Sequence, residues 1–160
     1  DLGHMAYTPA LEVQWQTHER VLNGTAGPAL ILVEHDPVIT VSRRKNAAQH
    51  VVAPPALLTQ LGIDVQPTDR GGDVTYHGPG QLVAYPILRL AQYRFNISAY
   101  MRFLEEVVID TLLTFHIRGL RDPANTGVWV EPIKSSAGGG RTVSSQPPAP
   151  GSRPLLPGGG

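Results

Sequence analysis

The sequence predicts a mixed α/β domain in which strands and helices are interleaved around one sheet. Three observations carry that expectation. Short apolar runs of strand length stand at 29–34 (ALILVE) and 38–41 (VITV), an amphipathic helical pattern covers 98–115, and such segments alternate along the chain.

Taken in order, Thr8-Pro9 reads as an N-cap followed by proline at the first helical position. Leu11, Trp15 and Leu22 then fall near one helix face, and Asn23-Gly24 supplies a stop. The two apolar runs follow as strands, divided by an Asp36-Pro37 turn. VTY at 74–76 and QLVAYPIL at 81–88 are strand-like and are joined across His77-Gly78-Pro79-Gly80. Ser98 is positioned to cap a second helix, whose apolar face is Tyr100, Leu104, Val107, Val108, Leu112 and Phe115, with Arg102, Glu105, Glu106 and Asp110 elsewhere on the wheel. TGVWVEPI at 126–133 reads as a last strand.

From Gly138 to Gly160 glycine and proline make up 12 of 23 residues, and the bulky apolar residues there are Val143, Leu155 and Leu156. Such a segment buries too little surface to offset its ordering entropy, so residues 142–160 are expected to be a disordered tail.

Composition narrows the function. The chain has 160 residues, enough for one domain, and 13 basic residues balance 13 acidic ones. No net basic footprint of the kind nucleic acid selects is present, so charge recognition has to be local. With no cysteine, the chain as written offers no disulfide, thiolate metal site or thiol nucleophile. The six histidines show no HxxxH or HxH zinc spacing, and there is no GxSxG elbow. No apolar run reaches 18 residues, and DLGHMAYTPA has neither the basic start nor the apolar centre of a signal peptide. A cytoplasmic protein that binds neither membrane nor nucleic acid, with no metal and no cofactor, is the expectation.

The stretch that concentrates chemistry is RGGDVTYHGPGQLVAYPIL, Arg70 to Leu88. Its four glycines between Gly71 and Gly80 permit backbone angles and close approaches that side chains block, and they leave N–H groups open to a ligand. It is not a phosphate loop, because GxxxxGK[ST] is absent and GPGQL lacks the third glycine of GxGxxG. Arg70 reads either as an anion partner or as a solvated strand-start arginine. His77 reads either as a polar group in a cleft or as a satisfied turn histidine.

This stretch resembles the signature of the octanoyltransferases of lipoate biosynthesis. LILVEHDPVIT at 30–40 and NTGVWV at 125–130 are also similar to segments of that family, and the resemblance covers residues 1–141. Ser42 departs from it, standing where the family usually has glycine. The resemblance implies a fold related to biotin and lipoate protein ligases, a mixed sheet flanked by helices. It implies transfer of an octanoyl group from acyl carrier protein to a lysine on lipoyl domains, those of 2-oxoacid dehydrogenase complexes and of the glycine cleavage H protein. Arg70, Gly71, Gly72, Asp73, Val74, Thr75, Tyr76 and His77 match the segment lining the acyl pocket. Lys134, four residues after Val130, matches the lysine that lowers a thiol pKa, while Ala137, Gly138, Gly139 and Arg141 fall in or beside the small-residue pattern after it. As a bare feature Lys134 reads as a surface lysine, and the register of the resemblance brings the two readings level.

The family's cysteine, which takes the acyl group and then yields it, comes after that lysine. Here that region is the Gly/Pro-rich segment. The expectation is therefore a partial octanoyltransferase domain over 1–141, truncated or frame-altered, with the C-terminal part of the fold missing and its own activity in doubt. The competing expectations are an ATP-dependent lipoate or biotin ligase-like enzyme and a non-catalytic acyl-binding remnant.

Overall fold

A computed structural model describes residues 1–131. They form two compact units, residues 1–94 and residues 95–131. The segment 142–160, with its predicted disorder, lies outside the described residues.

In the first unit, β1 (His4–Met5) pairs in parallel with β2 (Ala29–His35), which pairs antiparallel with β6 (Leu82–Ile87). A second sheet has β3 (Val38–Ser42) at its centre, parallel to β4 (Asp64–Thr68) and antiparallel to β5 (Val74–His77). Both sheets are mixed, as predicted, but the strands are divided between two ladders. The chain crosses from one to the other twice, at Asp36-Pro37 after β2 and at His77–Gln81 after β5. Proline cannot donate to a ladder, and Gly80 takes a left-handed turn at φ 82, so neither corner continues its strand. β5 and β6 are consequently successive without being paired.

Within β2 burial alternates: Ile31, Val33 and His35 face inward. Val33 meets Ala10 and Val83, and Leu2, Met5 and Tyr85 pack around them. Ala10 belongs to α1 (Tyr7–Leu22), which starts one residue before the predicted Thr8 cap, after Ala6 and without a side-chain cap bond. The buried residues of α1 are Tyr7, Ala10 and Val21, whereas Trp15 and Leu22 are exposed. Of the predicted Leu11/Trp15/Leu22 stripe, Leu11 is half-buried and the other two are turned away from the core. Half-buried Gln14 lies on the same side as Ala10 and Val21, although hydrophobic periodicity scores it as surface. The Asn23-Gly24 stop is observed, with Gly24 at φ 74. A single-turn 3-10 segment (Ala47–His50) and α2 (Pro55–Gln60) connect β3 to β4.

In the second unit, α3 (Ile97–Thr114) is capped by Asn96, whose side chain accepts the Ala99 N–H at 2.8 Å; Ser98, the predicted cap, lies in the first turn. The hairpin β7 (Gly119–Arg121) and β8 (Val128–Val130) packs against α3. Gly119 permits this approach, since a Cβ there would stand 3.0 Å from Val128 Cγ1 and 3.2 Å from Ile109 Cγ1.

The most buried residue of α3 is Glu105, 4% exposed, rather than any member of the predicted apolar face; Val107 and Phe115 are exposed. Its carboxylate accepts the Gly127 N–H at 2.9 Å and an Arg102 guanidinium N–H at 2.7 Å, and Arg121 Nε lies 3.3 Å away. Burial pushes its carboxyl up, but the Gly127 amide and the two arginines outweigh that and hold it below its usual range.

Two measurements check this account. Val33→Ala, at a fully buried site, is expected to cost about 2 kcal/mol in urea unfolding. Glu105→Gln is expected to cost ~2 kcal/mol near neutral pH, because it takes a charged acceptor from the Gly127 amide and two arginines. The depressed carboxyl contributes stability above 4.5 and loses it as pH falls through the folded value, so the gap between native and variant should close on acidification. An unchanged gap would contradict the assignment.

Candidate functional site

Because the chain leaves one sheet just after His35 and returns just after His77, the two corner histidines lie side by side, with ring centroids 5.8 Å apart. His35 also meets Tyr7 at 5.5 Å and Tyr85 at 6.0 Å, both edge-on. These four aromatic rings, drawn from α1, β2, β5 and β6, form a polar centre within the first unit.

The hydrogen bonds determine its protonation. His35 Nδ1 stands 3.1 Å from the Met5 carbonyl, which can only accept, so Nδ1 carries the proton. Nε2 is then bare and accepts from the Tyr85 hydroxyl at 3.0 Å. Burial pushes the His35 pKa down, against the opposing pull of the Met5 carbonyl and Asp36. The Tyr85 phenol is pushed up to about 12, chiefly by burial and by Tyr7 beside it, while a Gln14 hydrogen bond opposes the shift. That bond accounts for a half-buried polar residue on the core side of α1.

His77 donates from Nδ1 to Gln81 Oε1 at 2.7 Å across the Gly78-Pro79-Gly80 corner. Burial lowers its pKa, and His35 and Arg70 add to the effect while Gln81 opposes it. It is neutral near pH 7, and its Nε2 has no hydrogen-bond partner among the described residues. A bare imidazole nitrogen in a buried polar centre can accept a proton.

Beside this centre Arg70 is held across the second sheet. Its guanidinium donates to the Gly71 carbonyl at 2.7 Å, to Thr40 Oγ1 at 3.1 Å and to Thr75 Oγ1. The Thr40 hydroxyl, on a residue 1% exposed, donates a hydrogen bond to the Thr75 carbonyl at 3.3 Å. The Tyr7 hydroxyl donates to Thr68 Oγ1 at 3.2 Å, and Thr68 Oγ1 receives the Arg70 N–H at 3.4 Å.

Of the residues singled out from sequence, Arg70, Thr75 and His77 share this inner side. Strand alternation turns Val74 and Tyr76 to the opposite face of β5, where Tyr76 is exposed and its ring lies over Gly78. Gly71 and Gly72 form an exposed turn whose amide N–H groups find no acceptor among the described residues. Asp73 bonds His50. Lys134, Ala137, Gly138, Gly139 and Arg141 lie outside the described residues. Sequence reasoning did not single out Tyr7, Gln14, His35, Thr40, Thr68, Gln81 and Tyr85. One signal was present: His35 ends an apolar alternating run, where an ionisable residue demands partners.

Among the described residues no group of three or more histidine, cysteine, aspartate or glutamate side chains is placed to hold a metal, and no helix is long and apolar enough to cross a membrane.

Similarity to known proteins gives the class to which this mixed α/β fold belongs. The family model described as the lipoyl protein ligase A/B catalytic domain matches residues 6–146. The chain belongs to that family. It is 47% identical over 129 residues to an octanoyltransferase of Chloroflexus aggregans, covering 81% of this chain and 58% of that protein. It is 46% identical over 136 residues to an octanoyltransferase of Solibacter usitatus, covering 85% and 61%. The chain therefore spans about three fifths of the length of these relatives. Among solved structures, a putative lipoate protein ligase from T. acidophilum superposes with a TM-score of 0.51 at 16% identity, over 74% of this chain and 50% of that one. A lipoate-protein ligase A bound with ATP gives a TM-score of 0.52 at 16% identity, over 76% and 52%. These two share the fold.

The neutral histidines predict a pH dependence. His35 and His77 have folded pKa values below 6.5, so below that pH the unfolded chain binds protons that the folded chain refuses. Stability should therefore fall as pH drops from about 7.5 to about 5.5. In His77→Gln the fall should be smaller, and equal slopes in urea unfolding would refute the assignment. The turn gives a second test. Gly72 stands at φ 94, which strains any side chain, whereas Gly71 is at an ordinary φ with open space around it. Gly72→Ala should cost about 1 kcal/mol or more and Gly71→Ala close to none.

Proposed function

We propose that this chain serves protein lipoylation as an octanoyltransferase-type domain, holding an octanoyl thioester on its way from acyl carrier protein to a lysine amine of a lipoyl domain. The acceptors in this reading are the lipoyl domains of 2-oxoacid dehydrogenase complexes and the glycine cleavage H protein, and the setting is the cytoplasm. The observation that carries the reading is the side of the RGGDVTYHGPGQL signature shared by half-buried Arg70 and Thr75 and buried His77, together with relatives named octanoyltransferase at 46–47% identity. Those relatives favour a transferase over an ATP-dependent ligase, since the ligase likenesses stand at 16% identity and speak for the fold.

Residues 70–77 are read as one wall of the acyl cleft, and Lys134 as the ammonium that stabilises a thiolate. The two-step route needs a cysteine: the thiolate attacks the thioester, the carrier thiol leaves, and the lysine amine then displaces the enzyme thiol. The chain contains no cysteine, so it holds no residue for that first step. What remains to it is acyl binding and direct aminolysis, in which the C–N bond forms as the C–S bond breaks. His77 Nε2 takes the amine proton, and the carrier thiolate leaves. That route forgoes dividing the transfer into two easier steps and should be slow.

The test is intact-mass analysis after mixing the chain with octanoyl-carrier protein, followed by addition of a lipoyl domain. The expected result is no octanoyl adduct on this chain and slow, ATP-independent modification of the domain. A stable adduct, rapid transfer, or a requirement for ATP would each refute the reading, the last in favour of a ligase. No modification at all, with octanoyl binding intact, would favour an acyl-binding role.

A further inference from the structure

We propose that Ser42 is a positioning residue for the acyl cleft, its buried hydroxyl pinning the Gly71–Gly72 turn in the conformation that forms the cleft wall. The inference rests on the octanoyl-binding reading above.

Ser42 ends β3 and is 8% exposed. Its backbone N–H donates to the Asp73 carbonyl at 2.8 Å. Its hydroxyl donates to the Gly72 carbonyl at 3.0 Å and accepts the Arg44 N–H at 3.2 Å. One side chain thus joins the end of a central strand, the loop that leaves it and the turn opposite, with both its donor and an acceptor position used. Among the described residues the turn's other ties are the Arg70 guanidinium on the Gly71 carbonyl and the Ser42 N–H on the Asp73 carbonyl. Gly71 and Gly72 carry no side chains, and their amides find no acceptor among the described residues. Asp73 is tied through Oδ2 to His50, which is exposed, while buried Asp73 Oδ1 has no hydrogen-bond partner among the described residues.

Rotation of the peptide plane between Gly72 and Asp73 would turn the Gly72 carbonyl outward, and glycine offers little steric resistance to it. The Ser42 hydroxyl is what opposes that rotation. By holding the carbonyl toward β3 it also fixes the turn next to the Gly71 carbonyl on which Arg70 is anchored. A turn ordered before the ligand arrives spares the ligand that ordering cost.

The experiment uses the full chain, with Ser42→Ala to remove the hydroxyl and Ser42→Thr to retain it. Octanoyl-N-acetylcysteamine, a small thioester, is titrated by calorimetry, and amide hydrogen exchange is followed at residue 42, whose N–H donates to the Asp73 carbonyl of the turn, and at the core positions Val33 and Val83. In Ser42→Ala, affinity should fall about tenfold and exchange at residue 42 should rise by a similar factor, as loss of one buried hydrogen bond implies. Exchange at Val33 and Val83 should stay unchanged, and Ser42→Thr should restore binding. If the native chain binds the thioester and Ser42→Ala binds it equally well, this inference fails while the acyl-cleft reading stands. Core exchange rising together with the turn, or unfolding of Ser42→Ala, would make Ser42 a general stability residue and overturn the positioning role. No binding by the native chain would sink the acyl-cleft reading, and this inference with it.

Discussion

Burying an imidazole at the end of β2 imposes a constraint that runs through the whole first unit. His35 is fully buried, and a polar ring removed from water needs partners for both nitrogens. The Met5 carbonyl and the Tyr85 hydroxyl supply them, which requires β1 beside β2 and β6 on its other side in a single register. Tyr85 in turn draws Gln14 into the buried face of α1, so the helix is oriented by a polar contact as much as by Ala10 against Val33 and Val83. A one-residue slip of β6 would turn Tyr85 away and orphan the ring, so the constraint also specifies register.

The second unit follows the same rule with the opposite charge logic. His35 is kept neutral by burial, whereas Glu105 is kept ionised because two arginines and the Gly127 amide face it. Its carboxylate draws the loop between β7 and β8 onto α3. Much of the apolar side of α3 is left exposed while an acidic residue is its best-buried position, so polar satisfaction acts beside the apolar contact of Val128, Ile109 and Leu112 around Gly119 in ordering this contact.

The likeness to lipoate ligases at the level of fold, and to octanoyltransferases at the level of sequence, has a chemical basis. Both classes must hold a medium-length acyl chain and present its carbonyl carbon to a lysine amine, which one arrangement of strands can do for either. What separates them is the activated group, an acyl nucleotide anhydride or a thioester, and that is recognised by individual side chains. In the proposed aminolysis the neutral His77, whose Nε2 has no hydrogen-bond partner among the described residues, takes the proton that the amine must lose.

Sequence by itself determined the fold class, the family and the polar segment, because each is carried locally. The apolar runs at 29–34 and 38–41 became β2 and β3, the helical period at 98–115 became α3, and the Asn23-Gly24 stop held. RGGDVTYHGPGQL is contiguous, so no folding was needed to recognise it. The tertiary structure decided what depends on contacts between distant residues. It divided the strands between two sheets, half-buried Gln14 and buried Glu105 where hydropathy favoured Trp15 and Phe115, and joined His35 to Tyr85 across 50 positions of sequence. Helical and strand periods report which residues share a face; a buried hydrogen bond can reverse which face turns inward, and its partner carries no mark in the local pattern.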